Sequence, residues 1–527
     1  MLSTPALTPQ QLDTFRVLGL RSNLASVQVL GHAMSSPMDS VRMAALKTLV
    51  ERGGPAEMAM ILEKIDVCHE AEIPLLMEHV PSLLGPIEFG LASKDPMSQQ
   101  RSLMAIAKLQ ITSQFHHLVR VAQSPQDSQQ IVAAELLVGL AGKMGMEARS
   151  TVGRKQDEIR KQLLNDLYRS MNLYHEHRVS QVFEAWLCAS HWNDEAFREL
   201  FDPERRDQVA KMALKLLRHS HRPEIIDLIV GLLWSNAPRI ESIQLLAERK
   251  DAGTLGRLAD KAIELGMTPQ LTKNLRCGVS LKILENFNFA SKAEPIERRC
   301  SLLLLLVAAD ASPAKLIGSI NAMLATKNPK AEAACALALR SLRSLKPELI
   351  VMALSDCFDA PDMEPYEPPP WKAELKAELE KLIQIFPMQP PNVRNSIEFA
   401  FSDFQCENIG RHLEDWPEPH LEAFGRMVRI AQRNYVEYLE NEADSQSASK
   451  KIRVLKIIKV LGADVELIEL VRDLLHDENE AVRIQAIYSI ATGRNRRETI
   501  EMLRPMLGDA DNGVKVAADL VISQLES

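Results

Sequence analysis

The stretch HDENEAVRIQAIYSIATG, residues 476–493, decides the fold. It opens with acids at Asp477, Glu478 and Glu480, where the free N–H groups and positive dipole end of a helix favour negative charge. Val482, Ala486 and Ile490 then recur every four residues and share one helical face. Arg483 lies at the edge of that face, the small Ala486 lets a neighbouring helix approach, and Gly493 is placed to end the helix. The spacing makes Asp477 the N-cap or first-turn acid.

The same order of acid, apolar residue, base and small residue returns at Asp509, Val514, Lys515 and Ala518, with Lys515 32 residues beyond Arg483. Related copies stand near the N-terminus. One runs from Ser36-Pro37 through Val41 and Arg42 to Ala45; another runs from Asp95-Pro96 through Arg101 to Ala105. Between them Glu72–Met77 keeps the phase without the base, and Ser124-Pro125 followed by Ile131–Ala134 continues the series. The marks near 42, 73, 101 and 131 are about 30 residues apart. A unit of that length is a pair of helices that cannot bury its apolar stripe alone and must stack on its neighbours. Nine of the 28 prolines follow Ser, Thr, Asp or Asn (residues 5, 9, 37, 96, 125, 203, 269, 313 and 329), a capping residue followed by a helix-starting proline.

The expected fold class is therefore all-α: an α-α superhelix, or solenoid, of stacked antiparallel helix pairs. The pattern of Asp477, Val482, Arg483 and Ala486, repeated at Asp509, Val514, Lys515 and Ala518, resembles the HEAT-repeat (armadillo-type) family in its short bacterial-type form. The resemblance is clear over residues 30–140 and 465–527 and looser between them. It implies a structural ladder of acids and bases in the turns between repeats, here Arg42, Asp95, Arg101, Asp477, Arg483, Asp509 and Lys515.

Composition agrees. Aromatics are 5% of the chain and Gly is low at 22 of 527 residues, which favours helix over strand. A net charge of −8 argues against a general nucleic-acid binder. The apolar run Leu302–Ala309 is too short to span a bilayer, no signal-type segment opens the chain, and seven scattered cysteines contain no CxxC pair. The expectation is a cytoplasmic protein with reduced thiols and no membrane span.

The pattern divides the chain into N-terminal repeats (1–150), irregular helical repeats (151–345), an acidic proline-rich loop (346–371), a helical region (372–440), a flexible loop (441–450) and C-terminal repeats (451–527). Three breaks raise functional questions. Residues 154–171 read as a long amphipathic helix, and beyond it Tyr168, Tyr174, Phe183, Trp186, Trp192, Phe197 and Phe201 concentrate seven of the 25 aromatics. Core packing explains such a cluster; a recognition groove is the functional alternative. Asp356–Trp371 holds five acids, five prolines and no base, which fits a solvated insertion or a docking segment. Lys450, Arg453, Lys456 and Lys459 recur every three residues, as a solvated face or a basic stripe. Tyr174, Trp186, His191, Trp192, Tyr366 and Trp371 are the candidate partner-binding residues.

No phosphate loop, HExxH helix or GxSxG elbow is present, and no catalytic, cofactor-binding or metal-ligating residue is nominated. His175 and His177, like His219 and His221, are spaced so that they diverge on a helix, and Cys188 with His191 supplies only two ligands. The resemblance also implies enzyme branches: di-iron hydroxylases with paired His-Glu motifs (His69-Glu70 and His175-Glu176 are the pairs here) and bilin lyases. It further implies DNA-repair relatives with a basic concave surface. The expected function is a non-catalytic scaffold or adaptor that binds a protein partner on a curved helical surface, with a nucleic-acid-binding protein as the alternative.

Overall fold

The computed structural model describes residues 7–20, 22, 25–150, 157–205, 207–249, 251–277, 284, 286–355, 369–491 and 496–526. Among them every regular element is a helix and no strand occurs. No described helix is long and apolar enough to cross a membrane.

The helices begin where the sequence punctuates. Thr8, Asp95, Thr268, Ser312 and Asn328 each stand before a proline at a first helical position, and each side chain accepts a first-turn N–H. The oxygen satisfies a donor the helix cannot, and the proline has no N–H to waste. Of the other cap-proline pairs, those at 37, 125 and 203 lie in turns and Pro5 lies outside the described residues. Helix ends are as local: Gly53 follows Asp39–Arg52 at φ 65° and Gly462 follows Ala448–Leu461 at φ 59°, the left-handed conformation that glycine adopts without penalty.

The chain forms two compact units, Met1–Arg257 and Leu258–Ser527. In the first, consecutive helices such as Asp39–Arg52 and Pro55–Glu63, joined by Gly53-Gly54, fold back antiparallel and pack on the next pair. Neighbour-to-neighbour packing continues through Gln130–Arg149, Gln181–Ala189, Gln208–His219 and Ile240–Glu248, so the irregular stretch keeps the stacking logic of the repeats. The boundary between the units falls inside the segment 151–345 of the sequence division.

In the second unit one row of helices stacks in order: Ile296–Ala308, Pro329–Ser341, Pro391–Ala400, Glu418–Ala431, Ala448–Leu461, Glu480–Ser489 and Asn512–Glu526. The companion helices depart from chain order once. Pro370–Ile385, which follows the acidic proline-rich stretch, packs back against Pro313–Leu324 as well as against Pro347–Leu354, while Pro347–Leu354 also meets Glu418–Ala431. The Asn321 amide holds this insertion by donating to the main-chain and side-chain oxygens of Glu378 at 2.9 and 3.0 Å.

Three expectations need correction. The flexible loop 441–450 contracts to 444–447, because Tyr435–Ala443 and Ala448–Leu461 extend into it from both sides. The proline-rich loop expected at 346–371 is shorter at both ends: Pro347–Leu354 is a helix, Pro370 is a helix-starting proline, so Trp371 is helical, and residues 356–368 lie outside the described residues. The cap of the decisive helix is Asn479 rather than Asp477, with the Asn479 oxygen accepting from Ala481 and Val482. The stripe itself is core: Val482, Ala486 and Ile490 are no more than 1% exposed. Gly493 lies outside the described residues, and the helix closes at Ser489.

Candidate functional site

The aromatic centre is interior. Trp186 is 2% exposed and packs between Tyr168 and Phe197, each ring centroid 6.4 Å away. Trp192 is 5% exposed and lies against Gly231, where an added Cβ would meet the indole at 2.0 Å. Their burial corrects the expectation that these indoles present themselves to a partner; they fill the spaces between helices of uneven spacing. Tyr174 is half-buried and edge-on to Phe183 at 5.3 Å. The His191 ring lies tilted against Trp192 with centroids 4.2 Å apart, and its Nδ1 accepts from the Asn193 N–H at 3.0 Å. Trp371 is 44% exposed on the first turn of Pro370–Ile385, and Tyr366 lies outside the described residues.

The ladder residues are placed differently from the sequence scheme. Arg483 takes the main-chain oxygens of Asp477 and Glu478 at 2.8 and 3.2 Å, and its carboxylate partners are Asp509 at 3.0 Å and Asp511 at 2.6 Å. Asp477 instead receives Lys451 at 2.6 Å from the preceding repeat. Each rung thus crosses from one repeat to the next. The Asp511 N–H and then the Arg483 guanidinium hold the Asp509 carboxyl below its ordinary range. Burial alone would raise Asp477, but Lys451 and the Asn479 N–H outweigh it and hold that carboxyl down as well. Near the N-terminus Arg42 pairs with Asp39 and, at 3.0 Å, with Glu72, so the copy at Glu72–Met77 that lacks a base supplies the acid. Asp95 spends both oxygens on the N–H groups of Met97 and Ser98 and makes no pair with Arg101. Lys515 is half-buried near Asp509.

A second ladder has no trace in the sequence scheme. Arginines at or just past helix ends donate to the terminal carbonyls of a neighbouring helix. Arg52 reaches Leu18 and Leu20 at 3.0 and 2.6 Å; Arg249 reaches Leu217 and Ser220, both at 2.7 Å. Arg276 reaches Ala308 at 3.0 Å, and Arg429 reaches Leu461 and Gly462 at 3.2 and 2.9 Å. Arg149, with a fully buried side chain, donates to Ser190 at 2.9 and 2.7 Å, Cys188 at 2.7 Å, Leu187 at 3.2 Å and Glu224 at 2.5 Å. A helix leaves its last carbonyls unpaired and partially negative, and a guanidinium carries five donors in a fixed fork. The available signal was an arginine in the final turn before Gly or Ser, as in Arg52-Gly53 and Arg149-Ser150.

The expected chemistry is sparse. No described cluster of His, Cys, Asp or Glu could hold a metal. His177 is a satisfied core histidine: Nε2 lies 2.9 Å from the Ser170 carbonyl and Nδ1 accepts from the Val179 N–H at 3.0 Å. Burial pushes the Cys68 thiol up to about 11 and those of Cys188 and Cys406 up to about 12, which removes thiolate reactivity from all three. Three of the four bases of the stripe are paired in place: Lys450 faces Glu442, Lys456 meets Glu414 at 2.6 Å and Lys459 meets Glu418 at 2.8 Å, while Arg453 lies against Gly410.

What the second unit exposes is a groove of about 550 Å³ between Pro329–Ser341 and Pro391–Ala400, lined by Ala336, Arg340, Asn392, Asn395, Ser396 and Phe399. Its depth comes from small side chains. Ser396 is 3% exposed and turns its hydroxyl onto the Asn392 carbonyl at 3.0 Å. Phe399, 44% exposed, forms one wall, with the Arg343 guanidinium 4.7 Å from its ring centre. Leu337, 56% exposed, stands beside Ala336. Arg433 fixes the far edge through Glu398 and the Asn395 oxygen, the latter at 2.7 Å.

No family model matches the chain, and no curated protein matches it. Among solved structures it is similar to a chain of the full-length AP-3 complex in an intermediate open conformation, itself a homology model. That likeness has 11% identity over 98% of this chain and 100% of that one, with a TM-score of 0.30. It is also similar to importin beta (12% identity, 96% and 75% covered, TM-score 0.27). A third likeness is to UNC-45 from Drosophila melanogaster (12% identity, 99% and 83% covered, TM-score 0.25). All three TM-scores are below 0.5, so the all-α assignment rests on the helix packing described above.

Proposed function

We propose that this chain is a non-catalytic, HEAT-type helical-repeat scaffold, cytoplasmic, that binds a protein partner through the groove between Pro329–Ser341 and Pro391–Ala400. The groove carries the reading: it sets an exposed aromatic ring over a floor of small side chains, with an exposed leucine at the position next to Ala336. Buried aromatic and aliphatic anchors dominate protein interfaces, and this groove offers a place for one. The lining has no acid, histidine or thiol to act as base or nucleophile. Pairing of Lys450, Lys456 and Lys459 with carboxylates weighs against the nucleic-acid alternative, which needs unpaired cations along a phosphate backbone.

Affinity purification from the native cell with the unaltered chain and with Leu337→Arg tests this. Both are expected to give the same circular dichroism, because Leu337 is on the surface. A stoichiometric partner held by the unaltered chain and lost from the variant supports the reading. An identical set of co-purifying proteins removes it.

A further inference from the structure

We infer that the groove takes an acidic segment of the partner protein, one in which an aromatic or aliphatic side chain is flanked by carboxylates; this rests on the scaffold reading above. The charge around the groove is one-sided. Arg340 lines it and makes no ion pair with any described residue, and Arg343 covers the Phe399 ring instead of meeting an acid. Arg394, on the Pro391–Ala400 helix, buries its Nε without an acceptor. Several bases near this row are matched by acids: Lys330 with Glu297 at 2.7 Å, Arg298 with Asp260 at 2.7 Å, and Arg433 with Glu398. Glu398, next to the lining residue Phe399, is already paired with Arg433, and Glu332 lies one helical turn before Ala336. An approaching chain meets two exposed guanidiniums, an aromatic wall and an apolar floor.

Carboxylates on the approaching chain complement that field, and a guanidinium grips a carboxylate through two parallel N–H donors. A nucleic acid would satisfy the cations but would leave the floor of Ala336 and the faces of Leu337 and Phe399 against sugar and phosphate. A side chain of a protein fills that floor. Asn392, exposed at the rim, offers both a donor and an acceptor to a main chain lying along the groove.

Fluorescence anisotropy of the purified full chain provides the test. The probe is a labelled synthetic heptapeptide with a central phenylalanine and three glutamates on either side. The controls are the same peptide with lysines for glutamates, the same with alanine for phenylalanine, and a labelled oligothymidylate. The glutamate peptide is expected to bind saturably and to weaken about tenfold or more in the double variant Arg340→Glu, Arg343→Glu. The lysine peptide is expected to bind that variant and not the unaltered chain. Phe399→Ala should weaken the glutamate peptide without creating affinity for the lysine one. Equal binding of both charged peptides, unchanged binding by the charge-reversed variant, or preference for the oligothymidylate would overturn the inference. Binding seen only after residues 357–367 are deleted would also overturn it, by naming the chain's own acidic stretch as the occupant. Loss of the cellular partner in Leu337→Arg together with a silent glutamate peptide would leave the scaffold reading standing and remove this one alone.

Discussion

The C-terminal repeats and the aromatic centre do the same mechanical job with different chemistry. Between 448 and 526, successive repeats are joined by charge: Lys451 to Asp477, then Arg483 to Asp509 and Asp511. Between 130 and 231, Arg222 bridges Glu184 and Glu135 at the surface, and a buried guanidinium, Arg149, is driven into the carbonyl ends of Gln181–Ala189 and the first turn of Pro223–Gly231. The first device needs two titratable partners in register and leaves a motif. The second uses mainly acceptors that every helix already owns, with a carboxylate added beside several of the arginines: Glu57 at Arg52, Asp227 at Arg149 and Asp251 at Arg249. Regular repeats can therefore carry a written ladder, while the uneven centre, where spacing wanders, can be held by a base that accepts main chain of any sequence.

The comparison breaks most visibly at Arg149. Arg149→Met removes the buried donor shared by four main-chain carbonyls and the cation facing Asp227, and should lower stability by about 3–5 kcal/mol, read as a shift in the urea midpoint followed by tryptophan fluorescence. Trp186, Trp192 and Trp234 all report from the first unit. Close backbone approach ranks next. A Cβ at Gly145 would lie 1.8 Å from the Cys188 carbonyl, and one at Gly425 would lie 2.5 Å from that of Val460. Gly145→Ala should cost about 2 kcal/mol and Gly425→Ala somewhat less, both by forcing backbones apart.

Acid sharpens the contrast between the two devices. Arg483→Met should cost about 2 kcal/mol at neutral pH, since its partner Asp509 is largely buried although Asp511 is half exposed. Asp477 and Asp509 have carboxyls held below their ordinary range, so their contribution is complete above the ordinary aspartate value of about 4 and fades as pH falls through the lowered one. The deficit of Arg483→Met should therefore shrink in acid more than that of Arg149→Met, because carbonyls, which do not titrate, are most of the Arg149 partners and Asp227 at 3.7 Å is a weaker addition. Urea midpoints of both variants at pH 7 and pH 3 decide it; parallel behaviour would mean the two ladders do not differ as described. The smallest effect belongs to Lys456→Ala. Its pair with the exposed Glu414 is solvated and should be worth no more than about 0.5–1 kcal/mol, vanishing in high salt.

Helix pairing was legible because it is local. Thr8-Pro9, Asp95-Pro96 and Asn328-Pro329 start helices through their own side chains, and Val482, Ala486 and Ile490 share a face by spacing alone. Partner choice was not legible. Asp477 and Arg483 are neighbours in the chain, yet the carboxylate that Arg483 uses is 26 residues away, and Glu72, in a copy without a base, pairs with Arg42. The candidate site followed the same rule. Trp186 and Trp192 attracted notice as large aromatics and proved to be core. Leu337, Arg340 and Phe399 look unremarkable in the sequence and acquire meaning only when Pro391–Ala400 is laid beside Pro329–Ser341.

By itself the sequence determined that the chain folds as helices, where many of them start, and which residues of the regular repeats turn inward. Those properties depend on side chains acting on their own helix. Tertiary structure alone decided which acid each base meets, that Pro370–Ile385 packs back onto Pro313–Leu324, and that an aromatic wall and unpaired guanidiniums share one groove. Those depend on distances between helices, which are set by the packing of every layer beneath them rather than by any run of neighbouring residues.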